Sequence, residues 1–290
     1  MIRSVFAAVT GGVAVLALAA CGGKARQPTV PRLSRVTAAP RIGRRRAAAV
    51  PTLAAQSAAL ERLSRLGLPI YCGGRRGRLV ALTFDDGPGP YTGLVLRELR
   101  RSGARATFFL VARSIARYRA LPRRERELGA IGDHTRTHAF LPGLPPAAQI
   151  AEIARGRAAA AHATGAPVEL FRPPYGARTP TVDAEVRRQG MVEVLWDVDS
   201  GDSLVSPPEN FHAISAVVRR DVRPGSIVLM HDNRGQTVRA LRAILPALRR
   251  RRLHAVTLPV LFAADPPSLA TLRAGERACG VVGARGLGSG

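Results

Sequence analysis

Asp85 and Asp86 stand side by side at the end of the apolar run Leu79-Val80-Ala81-Leu82, within the stretch Thr83-Phe84-Asp85-Asp86-Gly87-Pro88. Like charges in a partly desolvated place repel, so folding gives no reason for the pair. Such pairs serve metal binding or acid/base chemistry. Further along, His134 and His138 lie four residues apart in His134-Thr135-Arg136-Thr137-His138. On a helical turn they would share one face and could bind one ion. Two imidazoles and one carboxylate are a frequent catalytic zinc set, with a fourth position left for water, and Asp86 is the carboxylate chosen as third ligand. His-x-x-x-His alone is a weak signal, which the aspartates at a neighbouring strand end strengthen.

Such residues need elements that bring them together. Arg78 to Phe84 reads as a strand, Thr92 to Ser102 as a helix and Ala106 to Val111 as a strand, followed by a helix to about Leu128. Short apolar strands follow near Ala130 to Gly132, Val168 to Phe171, Met191 to Val198, Ser226 to Met230 and His254 to Leu258, with helices clearest at Ala147 to Ala163 and Val238 to Arg250. This βαβα rhythm predicts a parallel sheet covered by helices. Residues 67–262 suit a single α/β domain, a deformed or incomplete (β/α) barrel. Each uncommon polar cluster falls at or just after a strand end: Asp85-Asp86, His134 to His138, Arg172-Pro173-Pro174-Tyr175-Gly176, Asp197 to Asp202, and His231-Asp232. In a parallel barrel those positions converge on the C-terminal rim, where active sites sit.

Taken in order, these stretches, with Trp196 to Asp202 as the fourth and Leu229-Met230-His231 as the fifth, resemble the five motifs of the NodB-homology polysaccharide deacetylases, carbohydrate esterase family four. The resemblance covers essentially the whole domain. It implies a hydrolase with a divalent metal (Zn, or Co or Ni) on Asp86, His134 and His138, lowering the pKa of water from about 16 toward 7. It implies Asp85 as general base, oriented by a charge-assisted bond from Arg172. It places the oxyanion at the metal and the backbone N–H of Tyr175. His231 would protonate the leaving amine, supported by Asp202, and Tyr175 and Leu229 would border the substrate. Two departures bear on the substrate pocket. Ser203 follows Asp202 where the family often has Trp, and Leu128 to Asp133 lacks the usual His-Glu pair; Trp196, the only Trp, is expected in the core. Three readings stay open: an N-deacetylase of envelope glycans, peptidoglycan or a chitin-like polymer; an O-acetyl esterase on acetylated xylan; and a glycan-binding module without turnover. His162, His212 and His254 receive no role.

The chain ends carry address rather than chemistry. Residues 1–20 combine Arg3, an apolar stretch too short for a comfortable membrane span, and a small-residue site before Cys21. The segment resembles a bacterial lipoprotein signal, with Cys21 as the lipidated first residue on the extracytoplasmic face of the membrane; an ordinary signal peptide with a chance Cys is the other reading. Residues 21–66 read as an Arg/Ala/Pro-rich tether with a possible short helix from Thr52 to Leu66, and residues 263–290 as a C-terminal tail. About 30 tether residues reach on the order of 100 Å fully extended.

The formal net charge is +24, from 44 basic and 20 acidic residues, yet Lys24 is the sole lysine and the arginines are scattered. With no nucleic-acid motif present, the charge points to lipid headgroups and wall polymers as anionic neighbours rather than nucleic acid. A monomer acting on acetylated polysaccharide is expected. Cys72 and Cys279 flank the whole catalytic region and, in an oxidising compartment, are most simply a disulfide, two unpaired thiols being the alternative. Closing a loop of about 200 residues would add up to about 5 kcal/mol.

Overall fold

A computed structural model describes residues 50–204 and 210–280. Among these, helix α1 (Leu53–Leu66) leads into strand β1 (Leu79–Asp85), α2 (Thr92–Ser102), β2 (Ala106–Leu110), α3 (Ala112–Arg117), α4 (Leu121–Leu128), β3 (Gly129–Asp133) and α5 (Pro146–Thr164). There follow β4 (Leu170–Phe171), α6 (Pro180–Arg188), β5 (Val192–Glu193), β6 (Val198–Asp199), α7 (Phe211–Asp221), β7 (Ile227–His231), α8 (Gly235–Arg250), β8 (His254–Val256), α9 (Leu258–Ala264), α10 (Leu269–Ala274) and α11 (Glu276–Cys279). The helix expected to run to Leu128 is two helices, because Pro122 fits only in a first turn and the chain turns at Tyr118 before it.

The strands pair in the order β5-β4-β3-β2-β1-β7-β6, with β8 on β1, and every pair is parallel. The two ends of this order, β5 and β6, are consecutive in the chain and separated by residues 194–197 alone. The sheet therefore comes round on itself, and Ile70, bridged to Val194, and Cys72, bridged to Ser226, fill the seam. This is the deformed (β/α) barrel the sequence predicts.

Strand alternation divides the apolar side chains into two sets. Val80, Leu82 and Phe84 of β1, with Phe108, Val228 and Met230 of its neighbours, pack outward on Val95, Leu99, Ile214 and Leu241 of the helices. Ala81, Phe109, Leu170 and Ile227 instead face the interior, where they meet Leu60 and Leu63 of α1 and Leu261 and Phe262 of α9. Register stacks the inward positions in rows: Ala81 beside Ile227, then Thr83 beside Leu229, then Asp85 beside His231. The interior thus passes from apolar at the floor to ionisable at the rim.

The short helix expected from Thr52 to Leu66 is present as α1, but it belongs to the domain rather than the tether, packing on α9 and contributing Leu60 and Leu63 to the interior. Beyond Phe262 the chain continues into α10 and α11 instead of a tail, since Asp265 is buried and accepts from the Gly77 N–H at 2.6 Å. Cys279 is bonded to Cys72. The signal segment, Cys21, most of the tether and residues 281–290 lie outside the described residues.

Candidate active site

Arg172, just past the end of β4, is the largest wholly buried side chain among the described residues. A buried guanidinium must have its donors matched. Nε donates to the Val194 carbonyl at 3.0 Å, Nη2 to the Leu195 carbonyl at 3.0 Å, and Nη1 to Thr83 Oγ1 and Asp85 Oδ1, each at 2.8 Å. Its Cζ lies 4.2 Å from the Phe109 ring centroid and 5.6 Å from that of Trp196. Trp196 is half-buried against the interior cluster and covers this arginine, more than simply filling the core. Asp85 is thereby fixed by one oxygen, while its Oδ2 lies 3.7 Å from His134 Nε2.

The next carboxylate serves a different neighbourhood. Asp86 Oδ1 is 3.1 Å from His138 Nε2 and 3.7 Å from His134 Nε2, yet this buried oxygen carries no aligned hydrogen bond. His134 Nδ1 meets the Arg172 carbonyl at 2.7 Å, which keeps the proton on Nδ1 and leaves the Nε2 lone pair for a ligand. One donor atom from each of Asp86, His134 and His138 lies within 4.8 Å of the others. The two imidazoles, one carboxylate and orphaned oxygen fit a divalent cation with an open position. Burial pushes the Asp86 carboxyl up, but the surrounding imidazoles outweigh it and hold the group well below the usual carboxylate range. Burial lowers the His134 pKa against the pull of Asp85 and Asp86, favouring the neutral ligand form.

His134 and His138 do not share a helical turn, as their spacing had predicted. They lie on a loop after β3, with left-handed backbone at Thr135 (φ 69°) and His138 (φ 61°). Asp86 (φ 70°) and Tyr175 (φ 62°) are likewise left-handed, so four of the five such non-glycine residues among those described belong to the site loops. Conformations of this kind are disfavoured and persist where the surroundings impose them, often at functional sites. Here Asp133 Oδ1 accepts from the Thr135 N–H at 2.9 Å, and Thr135 Oγ1 from the His138 N–H at 3.0 Å.

On the neighbouring strand, His231 Nδ1 lies 2.7 Å from Asp202 Oδ1, and the His231 N–H donates to Asp202 Oδ2 at 2.7 Å. Thr237 Oγ1 also donates to Oδ2, at 2.5 Å. Burial alone would lower the His231 pKa, but Asp202, with Asp86 and Asp85 behind it, raises it to about 9. The imidazole is held in a form able to donate a proton. Asp197 plays no part: it accepts from Ser226 Oγ and the Ile227 N–H, and burial lifts it to about 6. Asp199 accepts from the Gly201 N–H in a tight turn.

Of the substrate-side residues, Tyr175 is 66% exposed, with its ring centroid 4.8 Å from that of His138. Leu229 is buried two residues before His231 on the inward face of β7. Four contributors had no role in the sequence analysis. Thr83 supports Arg172, Thr237 clamps Asp202, and Asn233 Nδ2 donates to Asp86 Oδ2 at 3.2 Å. Asp232, fully buried, presses on the Asp86-Gly87 loop, where a Cβ on Gly87 would sit 2.5 Å from its Oδ1. Only nearness to a motif could have flagged them.

Comparison with known proteins agrees with this geometry. The family described as polysaccharide deacetylase matches residues 73–194. The chitooligosaccharide deacetylase of Bradyrhizobium sp. (strain ANU 289) is 36% identical over 201 residues, spanning 63% of this chain and 90% of that protein. A solved peptidoglycan N-acetylglucosamine deacetylase, Bc1960, superposes with a TM-score of 0.63 at 28% identity, over 70% of this chain and 94% of that one. A carbohydrate esterase family four pseudoenzyme from Bacillus anthracis gives 0.62 at 26% identity, over 67% and 68%. This chain belongs to the polysaccharide deacetylase family, a class of hydrolases.

Proposed function

We propose that the protein removes N-acetyl groups from an N-acetylglucosamine polymer of the cell envelope, with peptidoglycan as the favoured substrate. It would do so as a monomer carrying a divalent metal, zinc by the donor set, on Asp86, His134 and His138. Bound there, the cation would supply Lewis-acid polarisation and a lowered pKa for water. Asp85, aimed by Arg172, takes the proton from the attacking water. The Tyr175 backbone N–H is the proposed second donor to the developing oxyanion. His231, with Nδ1 on Asp202, gives its proton to the departing nitrogen.

The His231–Asp202 pair carries the choice of amide over ester. An amine leaves badly unless protonated, whereas an ester oxygen needs less help, and this imidazole is raised to about 9. The relatives named for chitooligosaccharide and peptidoglycan N-acetylglucosamine support the same substrate class. Cys21 as lipid attachment, on the tether ahead of α1, would hold the enzyme outside the membrane within reach of wall polymers.

Acetate release from N-acetylglucosamine oligomers and peptidoglycan tests the proposal, with chelation expected to abolish it. Asp86→Ala should lose metal affinity and turnover together, whereas Asp85→Asn should keep the metal and lose turnover roughly 10²- to 10⁴-fold. Equal metal binding by both variants would overturn the division of roles. Acetate from acetyl-xylan alone would favour the esterase reading. A metal-loaded protein inert on every acetylated glycan would favour the non-catalytic reading, for which Ser203 and the pseudoenzyme relative speak. If Cys21 is the anchor, Cys21→Ser should leave the membrane fraction.

A further inference from the structure

The arginines that lie scattered along the sequence are gathered on one side of the fold. Residues 92–128 and 211–252, which supply α2, α3, α4, α7 and α8, hold 20 arginines against five acidic residues. The other described residues hold 14 of each. Nineteen of the 20 arginines are exposed. Of the five acids, Glu98, Glu125 and Asp232 are buried, and Asp221 is held by Arg220 at 2.7 Å with its side chain 8% exposed, so Glu127 alone is exposed. A bias of composition toward arginine would enrich every face alike and does not account for this division. Nor does stability, because like charges crowded on one surface repel.

α4 packs on α2, α2 on α8 and α8 on α7, so the cationic helices stand side by side round the outside of the barrel. Neighbouring axes lie about 8 to 10 Å apart, which gives the four helices a convex front about 25 to 30 Å wide. Between α2 and α8 runs a cleft of about 470 Å³ lined by Arg101, Ser102, Arg242 and Arg249 over Leu241 and Leu245. Glu98 at its edge accepts from Arg242 Nε at 3.3 Å and steadies one of the three guanidinium groups.

The shape and chemistry of this front select among anionic partners. A flat bilayer would touch a convex face of this width along one strip, and faces that sit in a bilayer carry apolar anchors. Here Leu94, at 36%, is the one large apolar side chain exposed among the described residues of both segments. Single-stranded nucleic acid is bound by stacking its bases on aromatic rings, and neither segment exposes an aromatic ring. A flexible polyanion can follow the curve and reach all four helices. Three guanidinium groups lining one cleft suit a phosphate, whose oxygens accept hydrogen bonds from several sides.

We propose that the α4-α2-α8-α7 face docks a flexible phosphodiester polymer of polyol units, poly(glycerol phosphate) in kind, with the α2–α8 cleft as its central phosphate site. The barrel then lies with its side along the polymer and its rim open to substrate. This docking is independent of the reaction assigned to the rim.

Calorimetry on the full-length protein carrying Cys21→Ser, which leaves no lipid attached, tests the proposal. The probes are poly(glycerol phosphate), phosphatidylglycerol vesicles and oligothymidylate at equal phosphate concentration. The polymer should bind tightest, and its affinity should fall at least about tenfold from about 50 to about 200 mM salt. Arg101→Gln/Arg249→Gln should weaken it roughly tenfold and lower the slope of log affinity against log salt by about one to two, since two phosphate contacts are lost. Arg62→Gln/Arg155→Gln makes the same change of net charge at exposed arginines of α1 and α5, and should weaken binding less than about twofold. Both variants should keep the wild-type melting temperature. Equal weakening by the two pairs would reduce the effect to net charge and overturn the proposal. Tighter binding to the vesicles or to oligothymidylate would overturn it as well, assigning the face to a membrane or to nucleic acid, as would an absence of binding to the polymer.

Discussion

At the residue scale, adjacent aspartates are set apart by what each one touches. Asp85 is held by a guanidinium with no exposed surface, and Asp86 by two imidazoles and Asn233. His231 shows the same logic with the sign reversed, because Asp202 favours its charged form. Its pKa of about 9 lies above an ordinary value near 6.5, so the pair's contribution to stability is complete below about 6.5 and fades as pH rises through about 9. In chelator-treated protein, the melting temperatures of wild type and Asp202→Asn should differ most at neutral pH or below and converge at alkaline pH. The same variant should move the alkaline limb of the kcat/KM profile down by about one unit or more, read from initial rates across pH. An unmoved limb would mean that another group supplies the proton.

The scale of elements shows which parts could be read without a structure. The strands and longer helices were legible because apolar alternation and period carry them, and the site because polar residues are uncommon at strand ends. Asp85, Asp86, His134, His138, Arg172, Asp202 and His231 meet as a result. The shape of the histidine loop was not legible, because left-handed Thr135 and His138 are held by hydrogen bonds to Asp133 and Thr135 and by packing on α5, which residue spacing does not show. Nor was the membership of α1 and α10 in the domain, which depends on α9 and Asp265 across the barrel floor. Gly156 of α5 makes one of these close contacts. A Cβ there would lie 2.2 Å from Asp133 Oδ1 and 2.5 Å from the Thr135 carbonyl carbon. Gly156→Ala gains helix propensity, yet it must push α5 off the loop that carries His134. It should lower stability by about 1 to 3 kcal/mol in thermal unfolding and weaken metal affinity as well. A gain in stability with metal affinity intact would show that the loop yields without cost.

For the molecule as a whole, the Cys72–Cys279 bond ties the segment entering the barrel to the last described helix, across 207 positions of sequence. Breaking it should cost up to about 5 kcal/mol on the chain-entropy account. Cys72→Ser, Cys279→Ser and the double variant should melt at the same reduced temperature, insensitive to dithiothreitol, with acetate release at moderate temperature retained. The seam between β5 and β6 has a further consequence. The carbonyls of Val194 and Leu195, which lie in that seam, receive the guanidinium that aims Asp85. A chain with its seam unzipped would hold an interior cation short of partners, a heavily penalised state. Closing the seam and fixing Asp85 are therefore one event, so a chain with an open seam should lack the held carboxylate that the proposed reaction needs.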